Sequence, residues 1–183
     1  GKTIEDRDIE LVRFSSNPEK KGRKVFWIIA RQHPGESMSE WWMEGLIEQL
    51  VDGPKTFVKQ LLKECDIYLV PNMNPDGSYR GNLRTNAAGR NLNREWENPS
   101  LDKSPEVYFV KRKMRETGVD FFLDVHGDES LPYCFIAGTE GIAGWNKQKQ
   151  AQLDFFKGRL AQLNPDFQTE AGYDVLGANT DLT

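Results

Sequence analysis

Two histidines are all this chain has, and each stands where a metal ion could use it. His33 lies in Arg31-Gln32-His33-Pro34-Gly35-Glu36, after the apolar run 25–30, and His126 lies in Asp124-Val125-His126-Gly127-Asp128, after Phe121-Phe122-Leu123. A strand end delivers a side chain to the rim of a sheet, where open α/β folds place their sites. His33 and Glu36, three residues apart, combine with the distant His126 into a set of two imidazoles and one carboxylate. That set suits a catalytic zinc, which takes three protein ligands and leaves one position for water. A zinc there would acidify its water and polarise a carbonyl oxygen. The plainer reading is two histidines capping strands, with Glu36 a first-turn carboxylate favoured by a helix dipole. It accounts for Glu36 and leaves His33 without a task. Gly35 is expected to clear a side chain from the metal's approach.

The elements that must position these groups follow from periodicity. Residues 9–14, 25–30, 67–70 and 121–125 read as strands, short and rich in β-branched and aromatic residues. The last three are near-continuous apolar runs, as in interior strands covered on both faces. Helices are predicted over 37–51, 56–63, 105–117 and 145–163. The third has Pro105 in its first turn and Gly118 just past its end. Strands alternating with helices predict an α/β fold with a mixed, mostly parallel central sheet and helices on both faces. One domain is expected over residues 1–183. Residues 71–104 read as a long loop, and such loops inside a compact domain are usually functional. Arg84, Arg90 and Arg94 among many asparagines suggest anion recognition, since a guanidinium matches a carboxylate.

Composition narrows the classes. The 183 residues, 38% hydrophobic with five tryptophans, are enough for a globular core. A net charge of −4 argues against binding nucleic acid through a basic face. No apolar stretch approaches the length of a membrane span, and the polar start (Gly1-Lys2-Thr3-Ile4-Glu5) has no signal-peptide core. Cys65 and Cys134 are read as two buried thiols in a reducing compartment, which places the protein in the cytoplasm.

Five ordered motifs carry a resemblance: His33-Pro34-Gly35-Glu36, Asn74-Pro75-Asp76-Gly77, Gly81-Asn82-Leu83-Arg84, Asn91-Leu92-Asn93-Arg94-Glu95-Trp96 and Asp124-Val125-His126-Gly127. In this order they resemble the zinc metallocarboxypeptidases, and the His-Pro-Gly-Glu form is similar to the cytosolic carboxypeptidase branch. The resemblance spans nearly the whole chain, from about Asp8. It implies a zinc carboxypeptidase-like α/β/α sandwich binding one Zn2+ through His33, Glu36 and His126. It implies Arg84 as the group that polarises the scissile carbonyl. Asn93 and Arg94 would bind the C-terminal carboxylate of a peptide or protein substrate. Trp96 is expected to pack.

The sequence departs from the pattern twice. Asn91 stands where the digestive enzymes have an aspartate behind the first zinc histidine, so it can accept a hydrogen bond but brings no charge. The family's general base is a glutamate on a late apolar strand. After His126 the carboxylates are Asp128, Glu129, Glu140, Asp154, Asp166, Glu170, Asp174 and Asp181, none in such a strand. The expectation is a catalytic-domain fragment, lacking the branch's N-terminal β-rich domain, with the base beyond Thr183. A missing base costs on the order of 10²–10⁴ in rate, so the fragment would be weakly active or inactive. Asp128 or Glu129 is a lesser candidate for that task. Two other functions fit the same residues: a zinc amidase or deacylase, and a non-catalytic zinc- or peptide-binding module. A preference for acidic C-terminal residues would need a basic group, with Arg90, Lys113 or a residue beyond Thr183 as candidates.

Overall fold

The computed structural model describes residues 1–128, 130–170, 172 and 173. Its elements run β1 (Val12–Phe14), β2 (Lys24–Ala30), α1 (Met38–Asp52), α2 (Lys55–Glu64), β3 (Cys65–Val70), α3 (Pro75–Arg80), a 3-10 turn (Leu92–Arg94), α4 (Pro105–Thr117), β4 (Phe121–Val125) and α5 (Lys147–Leu163). They fall into two compact units, Gly1–Gly127 and Asp128–Thr183.

The first unit is a mixed four-stranded sheet in the order β1-β3-β2-β4. β2 runs parallel to both β3 and β4, and β1 closes one edge antiparallel. Side chains alternate across a strand, and the two faces sort accordingly. Trp27, Ile29, Tyr68 and Val70 meet Val107 and Val110 of α4. Ile28, Ala30, Ile67 and Leu69 meet Met43 and Leu50 of α1, with Leu61 and Leu62 of α2 alongside. Helices therefore cover both faces, and the α/β sandwich read from periodicity is the observed architecture. β3 is buried at all six positions. β4, expected to be covered on both faces, differs. Among the described residues it pairs only with β2, and Phe122 is exposed. Its apolar run reports one packed face and an edge.

The stretch 71–104 is not a bare loop. Asn74 caps α3 by accepting from the Gly77 N–H at 3.0 Å, Pro75 opens it, and Gly81 closes it in the left-handed region at φ 71°. The N-terminal arm clamps this helix. Asp76, fully buried, accepts from Thr3 Oγ1 at 2.7 Å, Arg7 Nη1 at 2.8 Å and the Glu5 N–H at 3.0 Å. Further along, Asn86 Oδ1 accepts from the Ala88 and Arg90 N–H groups, and its Nδ2 donates to the Lys103 carbonyl and to Glu106. These contacts pin the arginine-bearing segment to α4.

Glu106, in the first turn of α4, is fully buried. Burial pushes its pKa up to about 7, against hydrogen bonds from its own backbone N–H and from Asn86. Between the unfolded value near 4.5 and about 7, the unfolded chain gives up this proton while the folded chain keeps it. Stability must then fall as pH rises through that window and stay level above it, by a total on the order of 3 kcal/mol. Glu106→Gln keeps an acceptor for Asn86 without the charge. Its expected result is a gain of about 1–3 kcal/mol at pH 8 and little change at pH 4.5, read by urea titration at both pH values.

In the second unit, Asn146 caps α5 by accepting from the Lys149 N–H at 3.0 Å, and Cys134 forms an isolated bridge with the buried Phe167. Both cysteines are free. Cys65 is buried at the head of β3, but Cys134 is exposed, so the expectation of two buried thiols fails for the second. No helix among the described residues is long and apolar enough to cross a membrane.

Candidate active site

The register of β2 and β4 sets Ala30 beside Val125, so the residues that follow both strands leave the sheet side by side. Arg31 then turns the chain with φ 56°, a left-handed conformation that costs a non-glycine residue energy and clusters at functional sites. Its Nε donates to the Pro34 carbonyl at 2.9 Å, and its guanidinium pairs with Glu40 of α1. The turn aims Gln32 and His33 inward. Glu36 follows just before α1, where Ser39 Oγ holds its carbonyl at 2.7 Å.

His33, Glu36 and His126 come together, with one donor atom from each lying within 4.8 Å of the others. Glu36 is the hub. Its Oε1 lies 2.7 Å from His33 Nδ1, and its Oε2 lies 2.8 Å from His126 Nδ1 and accepts from the Gly127 N–H at 3.0 Å. His33 and Glu36 are 3% and 4% exposed, whereas the His126 side chain is 26% exposed, so the site is closed on the His33 side and reaches solvent at His126. Burial would raise the Glu36 pKa, but hydrogen bonds from His126, His33 and Gly127 win and hold it at about 2.

Both rings are gripped from behind. His33 Nε2 lies 3.0 Å from Asn91 Oδ1, and that oxygen also accepts from the Asn93 N–H at 3.1 Å. An atom already accepting from a backbone N–H must be the amide oxygen, so His33 Nε2 donates and Nδ1 turns to Glu36. His126 Nε2 meets Asp124 Oδ2 at 2.9 Å. Burial would lower the His126 pKa, but Asp124 and Glu36 outweigh it and raise it to about 10. The two imidazoles thus have unlike supports, a neutral amide for His33 and a carboxylate for His126. Two Nδ1 atoms and a carboxylate converging at one point, with each Nε2–H anchored, fit the ligand set and the outer support of a catalytic zinc.

The other expected residues are placed around this centre. Leu83 accepts from the Gly35 N–H at 2.9 Å, which docks the segment carrying Arg84 against the His33–Glu36 turn. A Cβ on Gly35 would lie 2.7 Å from Leu83 Cδ1 and 2.9 Å from the Leu83 carbonyl oxygen. Gly35 is therefore required by this close approach of two chain segments. Arg84 is half-buried and, among the described residues, forms no hydrogen bond or ion pair. Asn93 is linked to His33 through two hydrogen bonds that share Asn91 Oδ1. Arg94 is exposed, with Nη1 3.2 Å from the Asn93 carbonyl. Trp96 is half-buried against the α4 side of the sheet and donates from Nε1 to Gln32 Oε1 at 2.8 Å.

Arg90 is corrected. Its guanidinium is committed to the buried Glu95, at 2.8 Å from Nε and 2.6 Å from Nη2, and so builds the loop instead of meeting an anion. Lys113 lies on α4 paired with Glu116 at 3.0 Å. Asp128, read as a stand-in base, is occupied within its own unit. Oδ1 accepts from the Ser130 and Leu131 N–H groups and Oδ2 from the Tyr173 hydroxyl. Glu129, Asp174 and Asp181 lie outside the described residues.

Sequence reasoning missed Asp124 and Gln32. Asp124 was legible, because residues i and i+2 of a strand share a face and Asp124-x-His126 therefore places both side chains together. Gln32 gave no such signal.

Comparisons with known proteins give the family and the fold. A family model described as zinc carboxypeptidase matches residues 1–140. Cytosolic carboxypeptidase 6 of Caenorhabditis elegans is 29% identical over 176 residues, covering 92% of this chain and 38% of that protein. A metallo-carboxypeptidase from Pseudomonas aeruginosa, solved in complex with (2-guanidinoethylmercapto)succinic acid, superposes with a TM-score of 0.92 at 48% identity, covering 97% of this chain and 46% of its own. A metallo-carboxypeptidase from Burkholderia cenocepacia gives 0.91 at 46% identity, with 96% and 47% covered. The chain spans less than half the length of each.

Proposed function

This chain belongs to the zinc carboxypeptidase family, and from that premise we propose that it carries the metal- and substrate-binding half of a carboxypeptidase acting on free C-termini of peptides or proteins. The observation that carries the proposal is the convergence of two Nδ1 atoms on the two oxygens of one buried carboxylate. His33, Glu36 and His126 would hold one Zn2+. When bound, zinc supplies Lewis acidity and a water with a pKa near neutrality.

The protein's own groups do the rest. Asn91 and Asp124 fix the imidazole rings, so their lone pairs need no reorientation. Asn93 and Arg94 grip the terminal carboxylate. Arg offers a planar fork and Asn a neutral hydrogen bond, and together they register the last peptide bond over the metal site. Arg84 presents its guanidinium to the scissile carbonyl oxygen, where negative charge develops. The group that takes the water's proton is proposed to lie beyond Thr183. A dicarboxylate bound to the Pseudomonas aeruginosa neighbour agrees with a site built for carboxylates. A cytoplasmic location is proposed on the name of the nematode relative.

Metal analysis of the purified protein should give about one zinc per chain, as a single three-ligand site requires. Peptides with a free C-terminal carboxylate should bind, and the slow release of a last residue that a site without its base allows should be confined to them, whereas C-terminally amidated versions should do neither. Equal action on both forms would assign the protein to amidase chemistry. Zinc and peptide binding that stays without turnover in a protein extended past Thr183 would make it a binding module. Protein purified without metal and unable to take up zinc would end the proposal.

A further inference from the structure

Gln32 is fully buried, and its side chain spans the two halves of the site. Nε2 donates to Asp124 Oδ2 at 2.5 Å and lies 3.5 Å from Asn93 Oδ1, while Oε1 accepts from Trp96 Nε1 at 2.8 Å. Its carbonyl accepts from Asn74 Nδ2 at 2.9 Å, which fixes the backbone beneath it. Asp124 Oδ2 thus receives Gln32 Nε2 and His126 Nε2 together, and Asp124 Oδ1 has no partner among the described residues. The carboxylate that orients His126 is itself aimed by Gln32. The same amide group reaches the asparagine assigned to the substrate's terminus. An apolar side chain could fill this volume, and burying an amide is costly unless its hydrogen bonds are made. What the amide adds is a fixed spacing.

We infer that Gln32 is a positioning residue that ties the metal ligand His126, through Asp124, to the carboxylate-binding Asn93, and so sets the distance between metal and substrate terminus. The inference rests on the proposed function. It requires effects on metal and on substrate that vanish when the intermediary is removed.

Gln32→Met keeps length and volume and removes both hydrogen-bonding ends. Zinc affinity, measured by chelator competition, should fall about 10–100-fold, the usual cost of losing an outer partner of a metal ligand. The visible absorption of the cobalt-loaded protein should shift, because it reports ligand geometry. Affinity for a free-acid peptide should fall as well. In an Asp124→Ala background the same change should cost no further zinc affinity, and in an Asn93→Ala background no further peptide affinity. A purely structural Gln32 would lower the melting temperature and give additive costs in both backgrounds, which overturns the inference. If Gln32→Met does not fold, Gln32→Glu keeps the acceptor for Trp96 and sets an acceptor against Asp124. Unchanged zinc affinity in that variant overturns the inference too. A wild-type protein that binds zinc and peptide, with variants that behave like it, sinks the role of Gln32 and leaves the function standing. A wild-type protein without zinc sinks both.

Discussion

Replacing Glu36 with Gln, or His33 or His126 with Ala, is expected to abolish stable zinc binding. Each change removes one of three ligands, and the loss should exceed the roughly 10–100-fold that outer partners of a metal site contribute. Glu36 should be the most damaging position. Its two oxygens face both imidazoles, so a single substitution disturbs two of the three edges of the ligand triangle. Peptide hydrolysis should fall to background with the metal, because Lewis-acid stabilisation of the transition state is lost outright. Metal content after dialysis, with circular dichroism to show that the variants fold, is the deciding measurement. Zinc retained at one ion per chain in the Glu36→Gln protein would remove Glu36 from the ligand set.

Arg84→Ala is expected to leave zinc content and stability near those of the unmodified protein and to lower kcat on the order of 10²–10³-fold, the usual effect of removing one oxyanion donor. The basis is the isolation of its guanidinium. Among the described residues no side chain or carbonyl claims it, so its deletion orphans nothing in the resting fold. Arg84→Lys should recover little, since an ammonium lacks the planar pair of donors. Arg90→Ala provides the contrast. It strips the counter-ion from the buried Glu95 and should cost stability, of about 1–3 kcal/mol, before it costs catalysis. Steady-state kinetics and thermal melts on the two variants separate the roles. A large fall in melting temperature for Arg84→Ala would make that arginine a structural residue.

The metal half of the site was legible because strand ends and helix starts advertise themselves. His33 and His126 each followed an apolar run, and Glu36 opened a helix whose apolar spacing was plain. α4 was bounded by Pro105 and Gly118 as the sequence indicates. α3 was not legible. Pro75-Asp76-Gly77-Ser78-Tyr79-Arg80 has no apolar period and contains a glycine, and local propensity reads it as a turn. Beside its local caps, Asn74 and Gly81, it is held in place by partners far away in sequence. Asp76 is clamped by Thr3 and Arg7, and a Cβ on Gly77 would collide with Pro34 and with the Thr85 carbonyl. The role of Gln32 is hidden for the same reason, and that of Arg90 is hidden although its partner Glu95 is only five residues on. Whether an arginine meets substrate or a buried glutamate depends on a loop conformation that spacing does not encode. A glutamine beside a histidine is ordinary until the residues it touches, 61 to 92 positions away, are in place.

The sheet order gives the ligand triangle a meaning apart from catalysis. Glu36 and His126 stand 90 residues apart and meet only when β4 has aligned along β2. An ion held there would clasp the ends of two neighbouring strands, β2 and β4. It can close only on a chain whose last parallel strand is in register, and a one-residue slip would turn His126 to the wrong side. Zinc loading would therefore depend on that one pairing, and tight retention would report that β4 has joined β2 in register.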